Sequence, residues 1–392
     1  MQPPTVVQAP APTKRIYYLD WLRVLAILMV FLFHAMHPFD FSAWHVKNAE
    51  QSELLSIILI LLALWGMPFF FMVAGSASWF ALLRRTPNQY VNERVKRLVI
   101  PYMIGVLLFW LLMTYLEWGN GVYLGTVKIS FAEYLANIGT ALANLGFTPR
   151  WLAFGMHLWF VGFLFAFAVI TLPLFLWFKR DPGTRVIDWM ARACDHRGGL
   201  LLFIIPLSLV KFAFEPFFSQ QHDWQDFTYR MSFFVLGFIL YADARFTRAI
   251  RRDWWILFGL GLSTVVVLLG LNAMGFPVQT WADTQSESMY FPLKVIGATI
   301  ALCFSLTFVY VGMRWLDSTS NALVYLQEAV LPFFILHQPV ILLIAFFVVQ
   351  WQVGLELKLA TVVVGSFAVV VALYELLIRR IKPLRVLFGM TK

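Results

Sequence analysis

The chain has 392 residues, of which 60% are hydrophobic and only 13% charged, against about 25% charged in an ordinary soluble domain. So little polar surface excludes a water-soluble globular fold, and recurring apolar runs of membrane-crossing length favour one polytopic helical bundle over two soluble domains. A formal net charge of +9 raises nucleic acid as a partner, but the basic residues sit in short segments between apolar runs, which points to a lipid bilayer and not to nucleic acid.

Residues 1–13, MQPPTVVQAPAPT, are uncharged and rich in Pro and Ala, so they are expected to be a disordered tail and not a signal peptide. At about 20 mostly apolar residues per crossing, helices are expected near 17–37, 55–83, 98–116, 156–178, 200–217, 230–243, 254–272, 291–311, 322–349 and 357–378. The fold class is therefore all-α, a transmembrane bundle of about ten spans filling residues 14–385, with a short tail at 386–392. The second and ninth runs exceed one crossing and contain Pro68 and Pro332, so kinks or interfacial extensions are expected. Between the third and fourth runs, a loop from Glu117 to Trp151 carries a helical pattern over Phe131–Leu145, expected to form an amphipathic helix on the membrane. In the seventh run, Gly259, Gly261 and Gly270 are expected to permit close helix approach. Cys194 and Cys303 lie in a basic loop and an apolar run, so neither a disulfide framework nor a Cys-based metal site is expected.

Every second connection is basic: Arg84, Arg85, Arg94, Lys96 and Arg97 precede the third span, and comparable clusters follow the fourth, sixth and tenth. The alternate loops balance Lys47, Lys128, Arg150 and Lys358 with acidic residues. Because cytoplasmic loops hold the excess of Lys and Arg, both termini are expected in the cytoplasm and the number of spans is even.

Ionisable groups inside a span are costly enough to be candidates for function. Arg23 and His34 lie eleven residues apart in the first span, close to three turns at 3.6 residues each, so they share one face about 16 Å apart along the axis. That spacing suits two ends of one elongated ligand. Taken singly, Arg23 also reads as a snorkelling anchor paired with Asp20, and His34 as an interfacial histidine. Arg94 and Arg97 are three residues apart at the inner end of the third span, where guanidinium forks bind phosphate or simply flank the membrane. His157 beside Trp159 reads as an acceptor-side group or as part of an aromatic belt. His337 reads as a satisfied buried histidine or a cavity residue, with Tyr325 and Glu328 either its partners or cavity lining. His34, His37 and His45 raise a metal question, but no Cys or repeated His-x-Glu element completes a ligand set, so no metal is expected.

The segment LDWLRVLAILMVFLFHAMH, with Arg23, ten residues, then His34, resembles the first-helix motif of the acyltransferase-3 family of integral membrane O-acyltransferases. PFFFMVAGSASWF at 68–80, ERVKRLVIPY at 93–102, HLWFVGFLF at 157–165 and LPFFILHQPV at 331–340 resemble further family segments in the same order. AWHVKNAE at 43–50 and ALYELLIRR at 372–380 look closest to the glucan biosynthesis protein C subgroup, which succinylates periplasmic glucans. The resemblance implies an enzyme of the cytoplasmic (inner) membrane that moves an acyl group, succinyl or acetyl, from cytoplasmic acyl-CoA (succinyl-CoA or acetyl-CoA) to a hydroxyl of a periplasmic or cell-surface glycan. It assigns His34 and Arg23 to catalysis, and Arg94, Arg97 and Arg23 to the acyl-CoA. His157, Trp159, His45, Glu328 and His337 are further candidates for contact with substrate. A transporter or flippase using the same intramembrane groups is the alternative, although no internal repeat is visible. A structural or sensory subunit is the third reading, and it leaves Arg23 and His34 without a role.

Overall fold

The computed structural model describes residues 15–218, 220–275 and 287–390, so the expectation for residues 1–13 lies outside the described residues. The first half of the chain forms α1 (Tyr17–Met36), α2 (Glu53–Arg84), α3 (Pro87–Arg94), α4 (Ile100–Tyr123), α5 (Phe131–Ala143), α6 (Trp159–Ile170) and α7 (Leu172–Phe178). The second half forms α8 (Asp181–Ala193), α9 (Ile204–Phe214), α10 (Trp224–Ala242), α11 (Ala244–Ala273), α12 (Glu287–Trp315), α13 (Asn321–Val348), α14 (Leu355–Leu373) and α15 (Lys382–Leu387). Among the described residues there is no strand, as lipid requires of an open chain whose backbone groups must pair within themselves.

Among the described residues, eight stretches are long and apolar enough to cross a bilayer. The fifth and sixth expected spans fall on α9, with its lead-in from Gly199, and on α10, which carries Asp226 and Arg230. These two pack on each other and against α2 and α12 inside the bundle, and neither is both long and apolar enough to count with the eight. Eight or ten crossings alike put both termini on one side, that of the basic loops. Two connections hold helices that pair with the spans. The expected helix after Glu117 is α5, whose start is fixed by reciprocal hydrogen bonds between Ser130 and Glu133. The basic segment after α7 folds as α8, an amphipathic helix missed in the sequence, whose Asp188 pairs with Arg245 at 2.7 Å. Pro68 lies within the unbroken α2, and α13 contains Pro339 as well as Pro332.

The tightest packing joins α2 to α10. A methyl group added to Gly75 would lie 1.9 Å from the Phe234 carbonyl oxygen, and one added to Gly237 would lie 1.9 Å from that of Met72. The two backbones therefore touch reciprocally, and only glycine fits at either position. Of the three glycines expected to do this in α11, Gly261 alone meets a neighbour, Cys303 at 3.1 Å, while Gly259 and Gly270 face open space. The seventh run contributes one glycine to packing because the other two sit on the far side of its helix. Gly237→Val is therefore expected to destabilise the detergent-purified protein by at least the ~1–3 kcal/mol of an overpacked core, seen as a lower midpoint of thermal unfolding. Gly259→Val should leave that midpoint unchanged.

Candidate active site

A cavity of about 950 Å³ opens on the side that carries the termini and basic loops. Its mouth holds Arg15, Arg84, Arg85, Arg94, Arg97 and Arg385, against Glu93 and Glu328. On α1, the stripe Ile16, Leu19, Asp20, Arg23 and Ile27 lines one wall, which is the helical face the spacing predicts. Arg23 donates to the buried Asp20 carboxylate at 2.8 Å, and Arg15 donates to its other oxygen at 2.8 Å. Asp20 thus supports two guanidinium groups at once. The ion pair expected of a snorkelling Arg23 is present, yet its side chain is 35% exposed to this cavity, so the pairing and cavity-lining readings describe one arrangement.

Arg94 precedes and Arg97 lies within a π-turn over Val95–Val99, next to Pro101, which has no backbone N–H to offer the preceding turn. Both line the cavity. Arg94 lies over the Tyr90 ring at 4.8 Å, and its buried Nε has no protein partner. Arg97 pairs with Glu93 at 3.4 Å. Glu328 also lines the cavity and accepts from Arg385 at 3.0 Å. It lies at the mouth, about two and a half turns from His337, and Tyr325 packs on Tyr374, so neither is a partner of that histidine.

The cavity ends on the rings of Phe70, Phe160 and Phe334, with Phe160 and Phe334 packed edge-on at 5.6 Å. His337 and His157 stand directly beyond, their rings 5.3 and 5.8 Å from that of Phe334. The open passage from Arg23 to His34 suggested by the shared face is therefore closed by one aromatic layer.

Behind it, three histidines from three helices meet. Pro339 has no N–H, so the Ile335 carbonyl four residues earlier loses its helical donor. His157 Nε2 donates to that carbonyl at 3.1 Å. The turn delivering His157 has Met156 at φ 52, a left-handed conformation unusual for methionine. His337 donates from Nδ1 to the Phe334 carbonyl at 2.6 Å, and its Nε2 meets His34 Nδ1 at 2.8 Å. His157 packs edge-on to His337 at 5.2 Å, is 4% exposed, and leaves its Nδ1 unpartnered. It is buried in the cluster and not in an aromatic belt. Trp159, two residues on, lies under Arg230 at 4.5 Å and against His222, outside the cluster.

On the outer side, Trp44 stacks on His34 with rings 6.2 Å apart and 11° from parallel, and on His37 at 5.4 Å. The loop bearing Trp44 is pinned from below. Lys47 donates to Asp40 at 2.7 Å, His37 meets the same carboxylate at 3.2 Å, and Asn120 holds the Lys47 backbone at both ends. His45 is held by Glu117. Among the described residues no group of three or more His, Cys, Asp or Glu is arranged to hold a metal.

Sequence reasoning missed three contributors. Arg385, Gly389 and Met390 close the cavity from the C-terminal end, Gln327 joins Arg15, and Trp44 caps His34. An aromatic beside a histidine, AWH, was the available signal for Trp44. For the C-terminal residues the sequence offers only a positively charged tail.

The arrangement defines an integral membrane protein with a cation-lined cavity on one side and a cluster of three histidines behind it. An acyltransferase domain model matches residues 16–375, and the chain belongs to that family, the acyltransferase-3 family of membrane O-acyltransferases. It is 23% identical over 351 residues to proteins named glucans biosynthesis protein C from Salmonella agona (strain SL483) and Salmonella enteritidis PT4 (strain P125109), covering 84% of this chain and 83% of each relative. No solved structure matches it. Of the three functional readings, membership supports the membrane-bound O-acyltransferase, which requires an acyl donor.

Asp40 supplies a test of the loop. Burial alone would raise its carboxyl pKa, but hydrogen bonds from His37 and Lys47 outweigh that and hold it below the ordinary carboxylate value. A depressed folded-state pKa adds stability above the unfolded value and loses it as pH falls through the folded one. Lys47→Ala should therefore lower the unfolding midpoint at pH 7, and the gap to wild type should narrow below about pH 4.

Proposed function

We propose that this enzyme transfers a succinyl or acetyl group from cytoplasmic acyl-CoA to a hydroxyl of a periplasmic or cell-surface glycan, and that it works in the inner membrane. One observation carries the reading. A cavity ringed by arginines on the basic side of the membrane ends one phenyl ring short of the histidine cluster. The phosphates of CoA are polyanions for which Arg94, Arg97 and Arg23 provide fork-shaped donors, and the unpartnered Arg94 Nε is a donor awaiting an acceptor. The pantetheine arm then follows the α1 stripe past Ile27 and displaces the Phe334 layer, which brings the thioester to His34. The relatives' name supplies the glycan as acceptor class. Trp44, stacked over His34 on the outer side, offers the flat apolar surface on which a sugar ring rests.

The chemistry balances without a metal. His34 Nε2 takes the proton of the acceptor hydroxyl as its oxygen attacks the thioester carbonyl carbon. The tetrahedral adduct collapses by breaking the C–S bond, the departing sulfur receives that proton, and an ester and free CoA result. Lining up donor and acceptor on opposite sides of one imidazole supplies much of the rate through positioning. Glu328 stands at the mouth of the path and His157 and His337 at its end, His45 lies on the outer side and Trp159 outside the cluster, and of these His157 Nδ1 is a buried ring nitrogen without a protein partner.

The test is release of CoA thiol by purified protein given succinyl-CoA or acetyl-CoA with a glycan acceptor. His34→Ala should reduce turnover at least a hundredfold with the protein still folded. Arg94→Ala and Arg97→Ala should each raise KM for the donor about tenfold, the loss of one charge-assisted contact. Turnover in His34→Ala equal to wild type, or no thiol release with any acyl-CoA, would overturn the assignment.

A further inference from the structure

We infer that His337 is a positioning residue that fixes the tautomer of His34, leaving the lone pair of His34 on Nε2. This rests on the reading of His34 as the base and names the atom and the group behind it.

Ring protons follow from the acceptors. The Phe334 carbonyl only accepts, so His337 Nδ1, 2.6 Å away, carries a proton. His337 is 1% exposed, its ring neighbours are Phe334, His157 and His34, and none of the salt bridges among the described residues includes it. An imidazolium buried in such surroundings is disfavoured by many times RT, so the ring is neutral and Nε2 holds its lone pair. His34 Nδ1 lies 2.8 Å from that nitrogen and is therefore the donor. In neutral His34 the remaining lone pair is on Nε2, which has no protein partner among the described residues. His37 and Trp44 approach the His34 ring by stacking and offer it no hydrogen bond.

The order is Phe334 carbonyl, His337, His34, then the hydroxyl to be deprotonated. A base held by a third group in one tautomer and one orientation is the general logic of activated nucleophile sites. Here a neutral imidazole stands where a carboxylate commonly does. That suits a thioester brought in from a polyanionic carrier, since no negative charge opposes its approach. The helix itself supplies the anchor, because the Phe334 carbonyl belongs to α13, one residue before the carbonyl that Pro339 releases to His157. The same turn of α13 therefore orients two of the three rings.

Full-length protein, labelled with 15N in its histidine rings, reports the tautomer directly, and His34→Asn assigns the His34 signals. Wild type should show His34 protonated on Nδ1 and bare on Nε2. His337→Leu, which keeps volume and removes the acceptor, should turn this into a mixture and lower kcat about a hundredfold with donor KM unchanged. His337→Gln, whose side-chain oxygen reaches the position of Nε2, should keep the tautomer and restore kcat to within about tenfold of wild type. A wild-type His34 protonated on Nε2, or a tautomer indifferent to His337→Leu, would overturn the inference. Equal losses of kcat in the Gln and Leu variants would also overturn it, since a purely structural role predicts that. If the tautomer signals are as stated but His34→Asn turns over like wild type, the reading of His34 as base fails instead, so the two failures are distinguishable.

Discussion

Within lipid no water replaces a missing backbone hydrogen bond, and Pro339 leaves one carbonyl of α13 without its donor. That vacancy is where the site begins. The Ile335 carbonyl takes its hydrogen bond from His157 of a distant segment, and the neighbouring Phe334 carbonyl takes a second from His337. Along the continuous α13, the carbonyl without its helical donor and its neighbour are thereby met by two oriented imidazoles, and the second of them reaches His34 on α1. Removing the His157 ring would leave the Ile335 carbonyl without a donor as well as disturb the cluster, so stability and function are tied at that contact.

The inner half depends on a different balance. Arginines gathered at one mouth repel one another, and Asp20, Glu93 and Glu328 each offset part of that by pairing with one or two of them. The residual charge is positive, which suits a phosphate-bearing ligand. Between the two halves lies a single layer of aromatic rings. Its contacts are ring-to-ring van der Waals ones, with Phe334 against both Phe160 and the histidines beyond.

Much of this was legible because the relevant periodicities are local. Arg23 and His34 share a face because eleven residues are close to three turns, and the alternating basic loops give the sidedness. Arg94 and Arg97 reach one cavity as their spacing implies. What stayed hidden is long-range. His34 and His337 are 303 positions apart, and nothing in either segment announces the other. Glu328 sits on the same helix as His337 but several turns away, so proximity in sequence suggested a partnership that the helix rise forbids. The aromatic floor was invisible because Phe160 and Phe334 look like any packing residue in a chain with 39 phenylalanines.

The central claim is that the donor enters from the face of the basic loops while the hydroxyl is acylated beyond the aromatic layer. Sided proteoliposomes test it most directly, with the orientation of the protein fixed and acyl-CoA supplied in one compartment and acceptor in the other. Transfer is expected only when acyl-CoA shares the compartment of the two termini and the acceptor is opposite. Equal transfer with donor on either side, or transfer only with donor on the far side, would contradict the cavity's role.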